Sequence, residues 1–356
     1  MGQKVVSCLL STKSKIMEQE VKFYLGIDVS KSWFDLSWMK IVNHQKQAMQ
    51  TVQFENSLAG IREFGKYLND NGVPCSANTL IVIENTGVYH RLLWAFCSEQ
   101  NLPIYIGNAA RIKWSLGITR GKNDQIDSQR LCGYCVKHAD ELIATPALNP
   151  VFMKLRDMIT SREKLVSQAN TIKMYIHELR LSNTKEVQEM MEKAHKAAID
   201  GINESVRMLE ANILKTIKED GVLNSNYELL LSVPGIGHVT AVYLICCTNN
   251  FVGLKSGKQL ACYAGVAPFG DSSGSSIKKR ERVHKMANKD LKKLLHMCAL
   301  SAIKNHDELK VYYERKKEEG KHPMAILNAV RNKIALRAVA VIKKQAPYVD
   351  NYKKAA

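Results

Sequence analysis

The sequence has no apolar run of membrane-spanning length, and its first residues show no secretion signal. The apolar stretch near the N-terminus is short and is not followed by a small-residue cleavage site. These absences argue against an integral membrane protein and against a secreted one. We therefore expect residues 1–20 to form a flexible leader and the protein to work in the cytoplasm.

The nine cysteines are an odd number scattered along 356 residues, which does not fit a framework of disulfides. Cys132 and Cys135 form one C-x-x-C pair, but no second pair of Cys or His follows at the spacing of a zinc site. We expect reduced thiols, with Cys132 and Cys135 on one face of a helix.

Acidic residues are scarce relative to basic ones, since 34 Asp and Glu stand against 51 Lys and Arg, a formal net charge of +17. A surplus of this size indicates a polyanionic partner, because phosphate groups attract Lys and Arg whatever the sequence. Nucleic acid is the first candidate, and an anionic membrane surface is the second. The hydrophobic content of 46% is ample for folded cores, and the length allows two or three domains.

The N-terminal third alternates between short β-branched and aromatic runs, which predict strands, and amphipathic stretches, which predict helices. Predicted strands cover 22–30, 33–42, 48–56, 79–84 and 103–108, and predicted helices cover 57–72, 88–101 and about 125–138. Ser57 is a suitable N-cap for the first helix, and Gly72 is a stop signal. Three strands followed by alternating helices and strands predict an α/β domain with a mixed sheet and helices on its faces.

Residues 151–220 contain no proline and one glycine, so nothing interrupts long helices there. Apolar residues recur at heptad spacing, with Arg162 as a polar interruption. The stripe consists of Leu155, Met158, Leu165, Ala169, Ile172, Ile176 and Leu179, then Ile202, Val206, Leu209, Ile213 and Ile217. This predicts a coiled-coil hairpin of two helices, broken near residues 181–186. Packing within one chain and contact between subunits are about equally compatible with it.

A Pro-Gly-Ile-Gly turn at residues 234–237 separates two apolar stretches that predict helices. A glycine-rich turn before a helix exposes backbone N–H groups, which bind phosphate without reading a base. Gly235 and Gly237 are therefore candidate nucleic-acid contacts in a helix-hairpin-helix-like element. A simple packing turn is the alternative.

A basic run follows at residues 278–293, in which eight Lys and Arg accompany two acids. Such runs are usually only solvated surface, but this one follows a Gly/Ser-rich loop, which favours contact with nucleic acid. The candidate contacts are Lys278, Lys279, Arg280, Arg282 and Lys285.

Four acids occupy positions that favour a metal site. Asp28 lies inside the first predicted strand, where a charge is costly unless it is paired or binds a metal. Glu84 ends a central strand, and Asp124 and Asp127 lie three residues apart on one face of a predicted helix. Mg²⁺ prefers oxygen ligands, and two such ions roughly 4 Å apart can hold a phosphodiester during its displacement. We expect these four acids to bind Mg²⁺ or Mn²⁺, with Asp35 in the second strand as a competing ligand of lower rank.

A group of serines precedes the basic run: Ser272, Ser273, Ser275 and Ser276 surround Gly274. A serine hydroxyl is a weak nucleophile unless a base, a metal or strong electrostatics activates it, and no His–Asp pair is evident nearby. From these residues alone, a flexible Gly/Ser loop is the simpler interpretation.

Six motifs taken together resemble one known family. They are "YLGIDVSK", "IENTGVY", "GKNDQIDSQRL", "LLLSVPGIGHVTAVYL", "YAGVAPF" and "SGSS", in this order. The chain resembles, over about residues 22–345, the DEDD-type insertion-sequence transposases related to the Piv invertase, a family described as bridge-RNA-guided serine recombinases.

The resemblance implies a RuvC-like, RNase H-type N-terminal domain whose four metal-binding acids fall on Asp28, Glu84, Asp124 and Asp127. It also implies a helical linker and a C-terminal domain with a nucleophilic serine. The spacing from "GVAP" through "SGSS" assigns that serine to Ser273, with the neighbouring Ser272, Ser275 and Ser276 as alternatives. That serine would form a phosphoserine bond with DNA, and the two sites would be combined across the protomers of a homo-oligomer, a dimer to a tetramer. A structured RNA encoded by the mobile element would pair with target and donor DNA.

Two other functions use the same residues differently. A metal-dependent junction nuclease would use the four acids to activate water and would not need Ser273, whereas a DNA- or RNA-binding regulator would need no catalysis. From the composition and the resemblance together we expect a leader at 1–20, a RuvC-like domain at 21–145, a coiled-coil segment at 146–220 and a C-terminal domain at 221–356, mainly helical.

Overall fold

The structure is a computed structural model that describes residues 21–85, 87–117, 124–179, 184–273, 277–283 and 286–350. For Asp124, 271–273 and 277–282 it describes the backbone alone. The chain divides into two compact units, Met1–Leu148 and Asn149–Ala356. The predicted leader lies outside the described residues.

The first unit contains a sheet and helices in the predicted order. Its elements are β1 (Val21–Val29), β2 (Trp33–Val42), β3 (Gln45–Lys46), β4 (Gln50–Glu55), α1 (Leu58–Asp70), β5 (Thr79–Glu84), α2 (Arg91–Glu99), β6 (Ile104–Gly107), α3 (Ala109–Ser115) and α4 (Asp124–His138). Ser57 caps α1 as predicted, because its Oγ accepts a hydrogen bond from the Gly60 amide at 3.2 Å. Gly72, with φ +65°, follows the end of that helix.

The sheet is mixed, as predicted. Its strand order is β3-β2-β1-β5-β6, and β4 also pairs with β2. β1 runs antiparallel to β2 and parallel to β5, and β5 runs parallel to β6. This arrangement puts the carboxyl ends of β1, β5 and β6 at one edge of the sheet, where open α/β sheets bind ligands.

The two faces of β1 have different coverings. Leu25, Ile27 and Val29 point into the core that the sheet forms with α1 and α2. Gly26 lies on the opposite face, against the backbone of α4 at Ser128 and Cys132. A side chain at position 26 would occupy the space of that helix, so the glycine permits the close approach of α4.

The second unit is mainly helical, as predicted. Its elements are α5 (Pro150–Leu179), α6 (Lys185–Lys218), α7 (Gly221–Leu231), α8 (His238–Cys247), α9 (Gly257–Tyr263), β7 (Pro268–Ser273), β8 (Ile277–Val283), α10 (Lys289–Asn305), α11 (Asp307–Glu318) and α12 (Pro323–Lys344). No helix among the described residues is long and apolar enough to cross a membrane.

The long helices α5 and α6 pack against each other, which confirms the predicted helical hairpin. Arg162, the polar interruption of the stripe, donates from Nε to Glu210 on α6 at 2.7 Å. Leu155 and Ile217, near the base of the hairpin, belong to the same core as α7 to α12. The separation of 146–220 from 221–356 as distinct domains stays a prediction.

The strands β3, β7 and β8 and the helix α3 were not predicted from the sequence. β3 and α3 are short, and short elements carry little periodicity. Ser272 and Ser273, for which a flexible loop was the simpler interpretation, belong to β7, and the first residues of the basic run belong to its antiparallel partner β8. β8 is rich in Lys and Arg and lacks the apolar alternation that marks a strand. It is recognised as a strand from its pairing with β7 and not from its own composition.

Substituting Gly26 with Ala tests the contact between β1 and α4. The new methyl group would lie 2.5 Å from the Ser128 carbonyl oxygen and closer still to the Cys132 amide nitrogen. Backbone atoms cannot move aside, so we expect the free energy of unfolding to fall by about 2–3 kcal/mol or more, measured by chemical denaturation.

Gly133→Ala is the matched control, because it adds the same methyl group to α4, the helix that packs on Gly26, at a position with no atom within 4 Å. An exposed glycine inside a helix costs about 1 kcal/mol relative to alanine, so this variant should be as stable as the parent or more so. Equal stability of Gly26→Ala and the parent protein would show that α4 does not dock as described.

Candidate active site

Asp28 and Glu84 lie side by side at the carboxyl ends of neighbouring parallel strands. The last paired residues of β1 and β5 are Ile27 and Ile83, and the two acids are the next residue on each strand. Each is half-buried. The sheet therefore brings together two carboxylates that are 56 residues apart in the sequence (84 − 28).

Asp35 lies directly opposite Asp28 in the antiparallel pairing of β1 and β2, so both side chains are on one face of the sheet. Asp35 is 4% exposed, which makes it more buried than Asp28. The Gln53 amide donates to its two oxygens at 3.2 and 3.3 Å. The sequence indicated a buried charge at Asp28, whereas the more deeply buried acid is Asp35.

The same face carries α4. Gly26, two residues before Asp28, contacts the backbone of this helix, and the Ser37 hydroxyl, two residues after Asp35, lies 2.8 Å from the Ser128 hydroxyl. Because side chains alternate along a strand, Asp28 and Asp35 point to the side that α4 covers.

The direction of α4 brings its first turn toward Asp28. The Ser128 hydroxyl contacts Ser37, which pairs with Gly26. Cys132, one turn later on α4, donates its thiol to the carbonyl of Tyr24, two residues earlier on β1, at 3.3 Å. The helix therefore runs opposite to β1, and its N-terminal end, with Asp124 and Asp127, lies toward the carboxyl end of the strand.

The donor chemistry at this edge fits a hard divalent cation, because the candidate ligands are carboxylate oxygens. The side chain of Asp124 is outside the described atoms. Among the residues whose side chains are described, no three His, Cys, Asp or Glu lie close enough to hold a metal ion. The metal site at Asp28, Glu84, Asp124 and Asp127 therefore stays a prediction.

Positive charge also reaches this edge. The Arg130 guanidinium donates to Asp127 Oδ1 at 2.8 Å, one helical turn along α4.

Cys132 and Cys135 of the C-x-x-C pair are buried and donate to backbone carbonyls of β1 and β5. Burial raises the pKa of the Cys132 thiol to about 12, so it stays protonated at neutral pH. The expected pair of reduced thiols on one helix face is confirmed for these described residues.

Ser273 is the last residue of β7, at the tip of the β7–β8 hairpin. Its backbone pairs with Ile277, and that of Ser272 pairs with Lys278. Ser275 and Ser276 lie outside the described residues. The register shifts between Phe269 and Asp271, which marks an irregularity in β7.

Side chains hold the chain at both ends of this hairpin. Asn288 follows β8: its Oδ1 accepts from the Tyr243 hydroxyl at 3.0 Å, and its Nδ2 donates to the Tyr263 hydroxyl at 2.9 Å. Before β7, Asn328 Nδ2 donates to the Val266 carbonyl at 2.9 Å. Burial raises the pKa of the Tyr243 phenol, which keeps it a neutral donor. No local sequence motif predicts these contacts, because each joins residues that are distant in sequence.

The Pro-Gly-Ile-Gly turn lies between α7 and α8, as predicted. Gly235 has φ +87°, and its α-carbon packs against the backbone of Cys298 on α10, where a side chain would not fit. This contact supplies a structural reason for Gly235. Gly237 precedes α8 without a side-chain cap, and no atom lies where its side chain would be. A role for either glycine in binding phosphate stays a prediction.

The predicted basic contacts fall on β8 or just after it. Lys278, Lys279, Arg280 and Arg282 belong to this strand by their backbone, and Lys285 lies outside the described residues. Their contact with nucleic acid stays a prediction.

Two family models match the chain. A transposase model of the DEDD type found in IS110 elements matches residues 25–181, a range that contains the four candidate acids. The model described as "Transposase IS116/IS110/IS902 family" matches residues 227–314, a range that contains the Pro-Gly-Ile-Gly turn and Ser273.

Several curated proteins are similar to the chain. It is 28% identical over 338 residues to the pilin gene-inverting protein of Moraxella bovis, covering 92% of this chain and 98% of that protein. The protein of the same name from Moraxella lacunata matches to the same extent. A 43.6 kDa protein of insertion element IS110 from Streptomyces coelicolor is 30% identical over 141 residues, which are 39% of this chain and 34% of that protein. The chain belongs to the IS116/IS110/IS902 family of transposases.

Proposed function

We propose that this transposase cuts and rejoins DNA through a phosphoserine bond at Ser273, with Asp28, Glu84, Asp124 and Asp127 holding Mg²⁺ or Mn²⁺ at the reacting phosphate. The observation that carries the proposal is the convergence of acids at one edge of the sheet. Asp28 and Glu84 lie at the carboxyl ends of neighbouring parallel strands, and the antiparallel course of α4 brings its first turn to the same end.

The acidic edge is suited to a phosphodiester only when a cation offsets its charge. Clustered carboxylates repel one another and also repel a DNA phosphate. A bound divalent ion would supply positive charge at the phosphate oxygens and stabilise the charge that develops there. The residues of the chain orient that charge: β1 and β5 fix Asp28 and Glu84, and α4 fixes Asp127.

The serine provides the chemistry of rejoining. When Ser273 Oγ attacks phosphorus, one P–O bond to a deoxyribose breaks, and the leaving oxygen takes up a proton. The new phosphoserine diester replaces the diester that was lost, so a DNA hydroxyl can later displace the serine without an external energy source. The position of Ser273 at the tip of a hairpin held at both ends is compatible with access to DNA.

The names of the relatives favour recombination over simple hydrolysis. Inversion of a pilin gene requires that broken strands be joined to new partners, and the chain spans 98% of the protein that carries this name in Moraxella bovis. The alternative, a RuvC-like junction nuclease that activates water, would cut without rejoining. It would use the same acids but not Ser273.

The partners belong to the same proposal. The DNA would be the ends of the element and its target, and a structured guide RNA would choose them by base pairing while the protein holds the backbones. The net charge of +17 suits two polyanions. Homo-oligomers would combine the acidic edge of one protomer with the serine of another, and the α5–α6 hairpin is the segment we assign to assembly.

Asp28→Asn tests the role of the acids. The substitution keeps the size of the side chain but removes its charge, so we expect DNA rearrangement to fall by at least about a hundredfold. The increase in melting temperature on adding Mn²⁺ should also shrink. Rearrangement is measured by amplification across the new DNA junctions.

Asp70→Asn, an exposed carboxyl at the end of α1, is the matched control and should change neither readout. Full rearrangement by Asp28→Asn in Mg²⁺ would refute the metal assignment.

Ser273→Ala tests the nucleophile, with Ser272→Ala beside it as the register control. Protein, element-end DNA, flanking transcribed RNA and Mg²⁺ are mixed and separated on a denaturing gel. We expect a covalent protein–DNA band in the parent and in Ser272→Ala, and none in Ser273→Ala. Cleaved DNA without an adduct in all three proteins would favour the water-activating nuclease.

A further inference from the structure

Trp33 is an exposed aromatic residue on the face that carries the candidate acids. It is the first residue of β2 and is 50% exposed, whereas Phe34 and Asp35 after it are buried. Because side chains alternate along a strand, Trp33 and Asp35 share a face, and Asp35 lies directly opposite Asp28. Trp33 is two positions before Asp35 on β2, which corresponds to about 7 Å between their Cα atoms.

The backbone of Trp33 is held firmly. The Ser30 amide and hydroxyl both donate to the Trp33 carbonyl, at 2.9 and 2.7 Å. The Trp33 amide donates back to Ser30 Oγ at 3.2 Å. Asn56 fixes the same turn, since its amide donates to the Ser32 carbonyl and its Nδ2 to the Ser30 carbonyl, each at 2.8 Å. A fixed backbone reduces the conformational entropy that is lost when the side chain binds.

Exposure of one large apolar side chain is common and by itself means nothing. Trp33 differs from such a residue because it lies on the face of the sheet that carries the candidate acids. In a transposase, DNA must reach the acidic edge, where carboxylates repel its phosphates. An indole is uncharged and offers a flat surface to a base, which a carboxylate cannot do. Lys31, exposed in the adjoining turn, adds positive charge for the backbone of the same strand.

We propose that Trp33 is a stacking platform for an unpaired DNA base next to the phosphate that reacts at the acidic edge. This inference rests on the proposed function, because it takes that edge as the place where DNA is processed. A base that leaves the duplex loses its stacking neighbours, and the indole replaces one of them. Trp33 would thereby stabilise the strand in an opened state.

The test uses the full chain carrying Asp28→Asn, in which we expect rearrangement to be strongly reduced, so that binding is measured on largely intact DNA. The probes are a short single-stranded oligodeoxythymidine with one iododeoxyuridine, the same sequence as a fully paired duplex, and the matching oligouridine RNA. Affinity is measured by fluorescence anisotropy, and the residue that crosslinks to the iodinated base under light is located by mass spectrometry.

With Trp33 intact, we expect crosslinking to map to Trp33. In Trp33→Ala, affinity for single-stranded DNA should fall about tenfold, while affinity for the paired duplex changes little. Trp33→Phe should recover most of the affinity, since a phenyl ring also stacks. Trp114→Ala is the matched control: it removes the same type of side chain from α3, where Trp114 is 65% exposed, and should leave binding unchanged.

Three results would overturn the proposal: equal affinity of Trp33→Ala and its parent for single-stranded DNA, an equal loss for paired duplex, or a crosslink to another residue. Preferential crosslinking of Trp33 to the RNA would overturn the choice of DNA. Because these readouts are binding and crosslinking, a failure of the stacking proposal is distinguishable from a failure of the adduct test at Ser273.

Discussion

The contact of α4 with the glycine of β1 is the constraint on which the candidate site depends. Gly26 has no side chain, so the backbone of Ser128 and Cys132 can lie directly on the sheet. A hydrogen bond between the Ser128 and Ser37 hydroxyls and one from the Cys132 thiol to the Tyr24 carbonyl then fix the rotation and direction of the helix. From this follows the position of Asp127 at the carboxyl end of β1. A helix that lay farther out, or ran the other way, would carry its acids away from Asp28 and Glu84.

The second unit holds a polar hairpin in position by contacts from its helices. β7 and β8 form a two-stranded sheet with basic residues on one strand, and such a ribbon has little apolar surface to stabilise it alone. Asn288 and Asn328 hold the chain on either side of it by hydrogen bonds to Tyr243, Tyr263 and the Val266 carbonyl. The helical core therefore positions the hairpin, and the hairpin needs no apolar core of its own.

Much of this arrangement is readable in the sequence. The strands β1, β2 and β5, the cap at Ser57 and the break between α5 and α6 follow local patterns of apolar residues and turn formers, which the structure confirms. The pairing of Asp35 with Asp28 could also be inferred, because a three-residue turn between two antiparallel strands sets their register. The docking of α4 on Gly26 and the contacts of Asn288 depend on segments far apart in the chain. No local pattern encodes them, and the basic strand β8 lacks the alternation by which strands are recognised.

The most direct test of the account is a crystal structure of the full chain with Mn²⁺, in which anomalous scattering locates the metal. The account predicts a strong peak at the carboxyl ends of β1 and β5, about 2 Å from carboxylate oxygens of Asp28, Glu84, Asp124 and Asp127. A structure in which α4 docks as described while Mn²⁺ binds elsewhere, or does not bind, would contradict it.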